Sequence, residues 1–423
     1  MSRWNSIWGQ ARAVLLLLGL CLGVAILAGS ASALFLWALD WATHTRDTHP
    51  ALIWGLPLAG GVVGWVYMKW GQSVDAGNNL LIDEIHDPRL IVPLRMAPLI
   101  LVSTVVSHLF GASVGREGTA VQMGGSLADQ FSSVFKLTAA TRRLVLMAGV
   151  SAGFAAVFGT PVAGAVFALE VLAGPTHRMQ WWALPSCLVA AFAADHVGLW
   201  WGVQHTVYSA GSWPGVSAWA LACVALAGGV FGLTGRVFAW STHALSARVR
   251  QWIVYAPWRP VIGGALVIAL VVWGQADRYI GLGIPVIVQA FEQPLAPWDF
   301  AAKGAMTVLS LAFGFKGGEV TPLFFIGATL GNALAPVLDQ PLGLMAAIGF
   351  VAVFAGAANT PLACTLMAME LFGWQIGTFA AVACFVSYFF SGQISIYKAQ
   401  RHDRGPWLRA KAGTRPSDPP GPA

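Results

Sequence analysis

The chain turns apolar, again and again, for about the length of a bilayer crossing. Such runs fall at 13–39, 52–70, 260–273 and 379–390, each with its flanks. A helix needs roughly 20 largely apolar residues to cross a hydrocarbon core, and a backbone inside that core must satisfy its own hydrogen bonds. The 423 residues are 57% hydrophobic and 10% charged, with a mean hydropathy of +0.67; a soluble domain carries about 25% charged residues. The prediction is an all-α polytopic membrane protein whose first partner is the lipid bilayer.

Arg3 and Arg12, an apolar stretch and "GSASA" follow the order of a cleavable signal peptide. Hydrophobicity nevertheless continues through Leu34 to Leu39, past any cleavage point, which favours an uncleaved first helix. Basic residues also crowd the end of the chain, at Lys398, Arg401, Arg404, Arg409, Lys411 and Arg415. The positive-inside tendency puts both termini in the cytoplasm. These flanks account for the net charge of +6 better than nucleic-acid binding does. Cys21, Cys187, Cys223, Cys364 and Cys384 are scattered through apolar segments without a CxxC pair. They predict neither a disulfide framework nor a zinc site, and no metal or cofactor is expected. The 20 tryptophans, several near segment ends, suit interfacial anchoring.

The two halves resemble each other. "TPVAGAVFALE" (160–170) and "TPLACTLMAME" (360–370) share Thr, Pro, Ala, Ala and Glu at an offset of 200. "GREGT" (115–119) lies over "GGEVT" (317–321), with Gly125 over Gly327, at an offset of 202. "AGNNLLID" (76–83) has a glycine-bearing counterpart in "IGLGIPVI" (280–287). Three matches in one order at a nearly constant offset indicate an internal repeat. Its halves run about 10–195 and 215–400, joined by the polar "QHTVYSAGSWPG" (204–215), and make one transmembrane domain over 1–400. The tail 401–423 is too short and Pro-rich to add another domain. Spacing leaves open whether the repeats are parallel or inverted.

Glycine- or proline-broken apolar segments at matching places in two halves point to a transporter's midplane site. A helix that starts inside the membrane exposes N–H groups whose positive dipole end favours anions. "GNN", "GREG" and "GGEVTP" therefore read as helix starts converging on one anion, with Thr160 and Thr360 as N-caps ahead of Pro161 and Pro361. The scattered glycines elsewhere fit close helix packing.

Carboxylates in such segments are functional by default, because an ionised group there is costly. Glu117, ionised, can itself fill an anion site; protonated, it can yield the site to a substrate. Burial and helix N-termini pull its protonation in opposite directions, so anion occupancy and proton binding become linked. A fixed pair with Arg116 is the bland alternative, and neighbours within a helix do not face each other. Glu170 and Glu370 each end a matching helix and suit a structural cap or pair. Asp83, Glu84, His86 and Asp87, followed by Pro88 and Arg89, suit a solvated helix end rather than a metal site. An intramembrane enzyme would need a nucleophile–base pair or metal ligands at helical spacing, and no HExxH is present.

These motifs together resemble the CLC family of chloride channels and anion/proton exchangers. "GREGT" is similar to its GREGP loop, "GTPVAGAVFALE" to its following helix, and "GGEVTPLFFIGATLG" to its GGxFxPxLxxGAxxG loop. Tyr397 in "ISIYKAQ" stands where the family has an ion-coordinating tyrosine. The resemblance implies inverted repeats with broken and tilted helices, a homodimer with one pore per subunit, and Glu117 as the gating and proton-coupling glutamate. Several positions depart from chloride-handling members. Gly77-Asn78-Asn79 replaces the serine-bearing G-S-G-I-P, Thr119 replaces a proline, Glu319 replaces an apolar residue and Val320 a phenylalanine. The first, second and third of these resemble the bacterial fluoride/proton branch, which implies fluoride export by proton antiport across the inner membrane. Val171 falls where many exchangers have an inner proton-transfer glutamate, which puts that path in doubt.

Fluoride is compact and strongly hydrated, so a selective site must offer close donors, and an asparagine amide has two N–H groups against one hydroxyl for serine. The anion-binding candidates are accordingly Asn78 or Asn79, the Gly115-Arg116-Glu117-Gly118 loop, the N–H groups of Glu319 and Val320, and the Thr321 and Tyr397 hydroxyls. Motif alignment favours Asn78 over Asn79. Glu319 is the candidate second proton or selectivity group. A chloride-handling exchanger or channel with atypical pore residues is the alternative.

Overall fold

The computed structural model describes residues 2–173, 179–211, 213 and 215–400, with side chains described from 12 to 172 and from 179 onward. The basic tail expected beyond Gln400 lies outside these residues. Sixteen α-helices lie among the described residues. In the first half they are α1 (Ser2–Thr48), α2 (Leu56–Val66), α3 (Asn78–His86), α4 (Met96–Leu109), α5 (Glu117–Val134), α6 (Ala139–Phe158), α7 (Pro161–Ala173) and α8 (Leu184–Trp200). In the second half they are α9 (Ala218–Trp252), α10 (Trp258–Gly274), α11 (Ile284–Glu292), α12 (Asp299–Ala312), α13 (Val320–Leu338), α14 (Leu342–Ala358), α15 (Pro361–Phe372) and α16 (Gly377–Ser391).

Each half repeats the same series of eight. Thus α3 and α11 both have 9 residues, α4 and α12 both 14, α5 and α13 have 18 and 19, and α7 and α15 have 13 and 12. A helix of nine residues is about 14 Å long, about half of a bilayer core. The chain is therefore polytopic but broken: among the described residues seven helical stretches are long and apolar enough to cross, and short helices end between them. The apolar stretch 52–70 falls in one of the seven, Pro50–His86, which is built from a 3₁₀ turn, α2 and a π turn at Tyr67–Gly71 before it reaches α3. The first helix is continuous through "GSASA" and packs Val24, Ala25 and Ala28 into the interior. Trp200, Trp252, Trp258 and Trp273 stand exposed at helix ends.

The helices that meet most closely do so through glycine. A Cβ on Gly124 would run into the Gly149 carbonyl of α6, and one on Gly327 into the Gly349 carbonyl of α14. Backbones in apolar surroundings gain contact by approaching this closely, and the two crossings are copies of one another.

The direction of the repeats follows from two acids. The Glu170 carboxylate at the end of α7 accepts from the backbone N–H groups of Leu362 (2.9 Å) and Ala363 (2.7 Å) at the start of α15. Glu370 at the end of α15 accepts from Val162 (2.9 Å) and Ala163 (2.8 Å) at the start of α7. Each helix thus ends at the other's beginning, so the pair runs antiparallel under a local two-fold. Repeats exchanged in this way are inverted. The same bonds correct the expected caps: Thr360 makes no side-chain cap bond and the Thr160 hydroxyl is unpartnered among the described residues. A carboxylate takes two N–H groups at once and complements the helix dipole, so it displaces the threonine hydroxyls. Glu170 and Glu370 are structural, as expected.

The described residues of the connector 204–215 are irregular, yet they do not form a detached linker. Tyr208 packs among Phe291, Phe350 and Phe372 at 5.3–6.3 Å between ring centroids.

Candidate functional site

Three helices begin at one place. The chain enters α3 through Gly77, whose φ of +58° is a left-handed conformation natural to glycine. It enters α5 at Glu117 after Gly115-Arg116, and α13 at Val320 after Gly317-Gly318-Glu319. The last two entries are tied together: Gly115 N–H donates to Gly318 O at 2.6 Å, and Gly318 N–H donates to Gly115 O at 2.7 Å. This reciprocal pair shifts the repeat by one residue. Gly115 matches Gly318, not Gly317, so Glu117 is the counterpart of Val320, and Glu319 is the counterpart of Arg116. The letters favour the other alignment, which also sets Glu117 over Glu319 and Thr119 over Thr321; the backbone pairing overrides it.

The Glu117 side chain is 1% exposed and crosses to the opposite repeat. Its Oε2 accepts from Thr321 N–H at 3.0 Å, and its Oε1 accepts from the Thr321 hydroxyl at 2.6 Å. Arg116 N–H donates to Oε2 at 3.2 Å, while the Arg116 Nε lies 3.4 Å from Oε1. That last contact revises the argument that neighbours cannot meet, since Arg116 is the N-cap of α5 and stands outside the helical repeat. A negatively charged group therefore sits on the N-terminus of α13, where its dipole and free N–H groups favour an anion. The amide that meets it is Thr321's, rather than those of Glu319 and Val320, which form the turn ahead of it.

Gly118 leaves a gap beside this carboxylate. A Cβ there would stand 3.1 Å from Asn78 Nδ2, 3.1 Å from Gly318 Cα and 3.9 Å from Glu319 Oε2. Asn78 thus directs its amide into the meeting point, and its Oδ1 is buried without a partner among the described residues. Asn79 does other work: its Oδ1 accepts from Ala399 N–H at 2.9 Å, fastening the segment that carries Tyr397. Of the two asparagines, Asn78 is the one whose amide reaches the meeting point. Glu319 is half-buried and makes no side-chain cap bond to α13.

On one side, a vestibule of about 920 Å³ reaches Arg116 and is lined also by Arg46, Arg278, Asp277 and His205. On another, Asn78 and Tyr397 meet Val121, Phe167 and Val171 around a cavity of about 20 Å³. That is room for about one water-sized particle. Val171 makes this wall apolar at the position expected to lack an inner carboxylate.

One reading outside the site changes. Glu84 is buried, not solvated: it accepts from Arg89 N–H at 2.9 Å and from Arg142 Nη2 at 3.0 Å, and Arg142 also donates to Asp129 at 2.7 Å. The acid lies in α3 itself, and the segment that follows turns its N–H groups back onto it; no periodic signal in "IDEIHDPR" announces that. The stretch "GVSAG" (149–153) has the letters of a nucleophile elbow, but it lies inside α6 and Ser151 donates to the Cys187 carbonyl at 3.0 Å.

Inverted, broken repeats whose helix N-termini meet at a tethered carboxylate define an ion-translocating membrane protein, not an enzyme. Comparison places it more closely. The family model described as voltage gated chloride channel matches residues 59–392, and the chain belongs to that family. It is 62% identical to the "Chloride/fluoride channel protein" of Pseudomonas syringae pv. tomato over 385 residues, 89% of this chain and 84% of that protein. It is 25% identical to the voltage-gated ClC-type chloride channel ClcB of Salmonella dublin, over 82% of this chain and 83% of that one. A crystal structure of a CLC-type fluoride/proton antiporter superposes with a TM-score of 0.89 at 34% identity, covering 92% of this chain and 98% of that one. A slow cyanobacterial Cl⁻/H⁺ antiporter shares the fold, with a TM-score of 0.77 at 20% identity over 90% and 96% of the two chains.

Proposed function

We propose that this protein exports fluoride in exchange for protons across the bacterial inner membrane, working as a homodimer with both termini in the cytoplasm. The observation that carries the proposal is the Glu117 carboxylate on the N-terminus of α13, held by the Thr321 N–H and hydroxyl. It is a covalently tethered anion in a place suited to a free one. When Glu117 is ionised it competes with the transported anion; when it takes a proton it loses the charge that holds it there. Anion entry and protonation are then coupled through one side chain.

Fluoride is favoured as the anion by the donors around the Gly118 gap. The Asn78 amide and the Thr321 hydroxyl and N–H are compact and close, as a small, strongly hydrated ion demands. The fluoride/proton antiporter of similar fold supports the same reading. Glu319 beside the gap serves as the second proton or selectivity group, and Tyr397 with Asn78 bounds the route beyond it. The halves 10–195 and 215–400 act as one transport unit. A second reading, of a chloride-handling exchanger or a channel, is favoured by the name of the Pseudomonas relative.

Proteoliposomes loaded with fluoride or chloride separate these readings. Fluoride efflux should be fast, chloride efflux far slower, and a fluoride gradient should drive protons uphill. Equal efflux of both ions ends the selectivity reading. Fluoride movement without uphill proton transport leaves a channel.

A further inference from the structure

The loop that delivers Asn78 changes its backbone pattern three times. Between the end of α2 at Val66 and the start of α3 it passes through the π turn Tyr67–Gly71, a 3₁₀ turn at Gln72–Val74, and Gly77. Such short turns mark hinges more often than a continuous α-helix does, so side-chain restraints on them matter. One comes from the opposite repeat. Lys316 Nζ meets Asp75 Oδ1 at 2.5 Å and stands 4.0 Å from the centre of the Tyr67 ring. Asp75 lies three residues before Asn78, and Lys316 three residues before Glu319. An ion pair therefore clasps the two loops whose next residues form the Gly118 gap.

Its exposure suits a contact that opens. The Asp75 side chain is 47% exposed and that of Lys316 is 20% exposed, so water can replace either partner. Ion pairs this exposed add little stability, and neither residue lines the vestibule. Arg250 and Arg259 also lie within electrostatic reach of Asp75. If Lys316 lets go, the carboxylate keeps cationic neighbours, and the ammonium on its flexible stem can turn toward the route. The separated arrangement is thus available without stranding a charge.

We propose that Lys316 and Asp75 are positioning residues of the transport cycle. They latch the Asn78 loop to the Glu319 loop while Glu117 holds the Thr321 position, and they part when an anion passes. The proposal rests on the reading that the anion route runs between these loops.

The test uses the full chain in proteoliposomes, with fluoride efflux and pH recorded together. Lys316→Met and Asp75→Asn should each raise the proton-independent fluoride leak, by up to about five-fold, the population shift that a pair of this exposure can produce. Protons moved per fluoride should fall in step. The exchange Asp75→Lys with Lys316→Asp should return both quantities toward the parent values, and Lys316→Arg should stay close to them. A purely structural role would lower the unfolding temperature of the single variants and leave their proton ratio unchanged. Salt gives an arm that needs no variant: raising it from about 0.05 to 1 M screens a water-accessible pair and should raise the leak of the unaltered protein. A leak and proton ratio indifferent to salt, or a double exchange as leaky as the single variants, overturns the latch. Absence of fluoride transport in the unaltered protein would instead overturn the functional reading beneath it.

Discussion

The GREG and KGGE loops occupy matching places in the two repeats, pair through Gly115 and Gly318, and each carries a glutamate. The two acids nevertheless live differently. Glu117 is the first residue of its helix, is 1% exposed, and crosses the two-fold to the hydroxyl and N–H of Thr321. Glu319 is the cap residue before its helix, is half-buried, and finds no hydrogen-bond partner among the described residues. One residue of register separates them, and under the proposed function it decides which acid competes with the transported ion. A symmetric framework thus carries asymmetric contacts: the first repeat supplies the buried carboxylate and the second supplies the donors that hold it.

The largest expected effect tests that division directly. Glu117→Gln should abolish uphill proton movement driven by fluoride, because the side chain keeps its shape but no longer changes charge. Simultaneous pH and fluoride recording checks it, and coupling that survives would move the proton to the other loop. Next comes the receiving side. Thr321→Val removes one of the donors that hold the carboxylate, a hydrogen bond to a charged group being worth about 1.5–3 kcal/mol. Fluoride turnover should fall by about ten-fold or more, since a passing anion loses the same donor. Asn78→Ser replaces two N–H donors with a single hydroxyl and should shift the fluoride-over-chloride ratio by about ten-fold toward chloride. The efflux rates of the two ions in separate liposomes measure this, and an unchanged ratio would leave Asn78 outside selectivity.

Much of this framework was legible in residue letters, for physical reasons. Spanning apolar runs, the Thr-Pro starts of α7 and α15 and the glycines before α3 and α5 are each demanded by a local backbone event. Local events leave local signals. What was not legible depends on partners far away in the chain. Glu370 caps α7 from 208 residues distant, so nothing near Thr160 shows that its hydroxyl is not the cap. Glu84 looked solvated because Arg142 is 58 residues away. The one-residue shift between Gly115 and Gly318 was hidden because the Glu and Thr letters align better one residue away, at Gly317. Adjacent asparagines 78 and 79 posed a similar difficulty, and contacts at Gly118 and Ala399 separate them.

Glu319 gives the smaller and sharper test of the comparison. With no partner to lose, Glu319→Gln should leave proton coupling in place and alter fluoride turnover by only a few-fold, on the order of 1 kcal/mol in barrier. Loss of coupling here would make the two acids equal partners and erase the asymmetry. The smallest effect belongs to Asn79. Its amide oxygen makes one bond, to Ala399 N–H at 2.9 Å, two residues beyond Tyr397. Asn79→Ala should therefore cost about 1 kcal/mol of stability, seen as a modest drop in unfolding temperature. The fluoride-over-chloride ratio should stay at its parent value, because the amide that enters the gap is that of Asn78. A selectivity change in Asn79→Ala as large as that in Asn78→Ser would mean that Tyr397, released from its tether, shapes the site as strongly as the asparagine facing it.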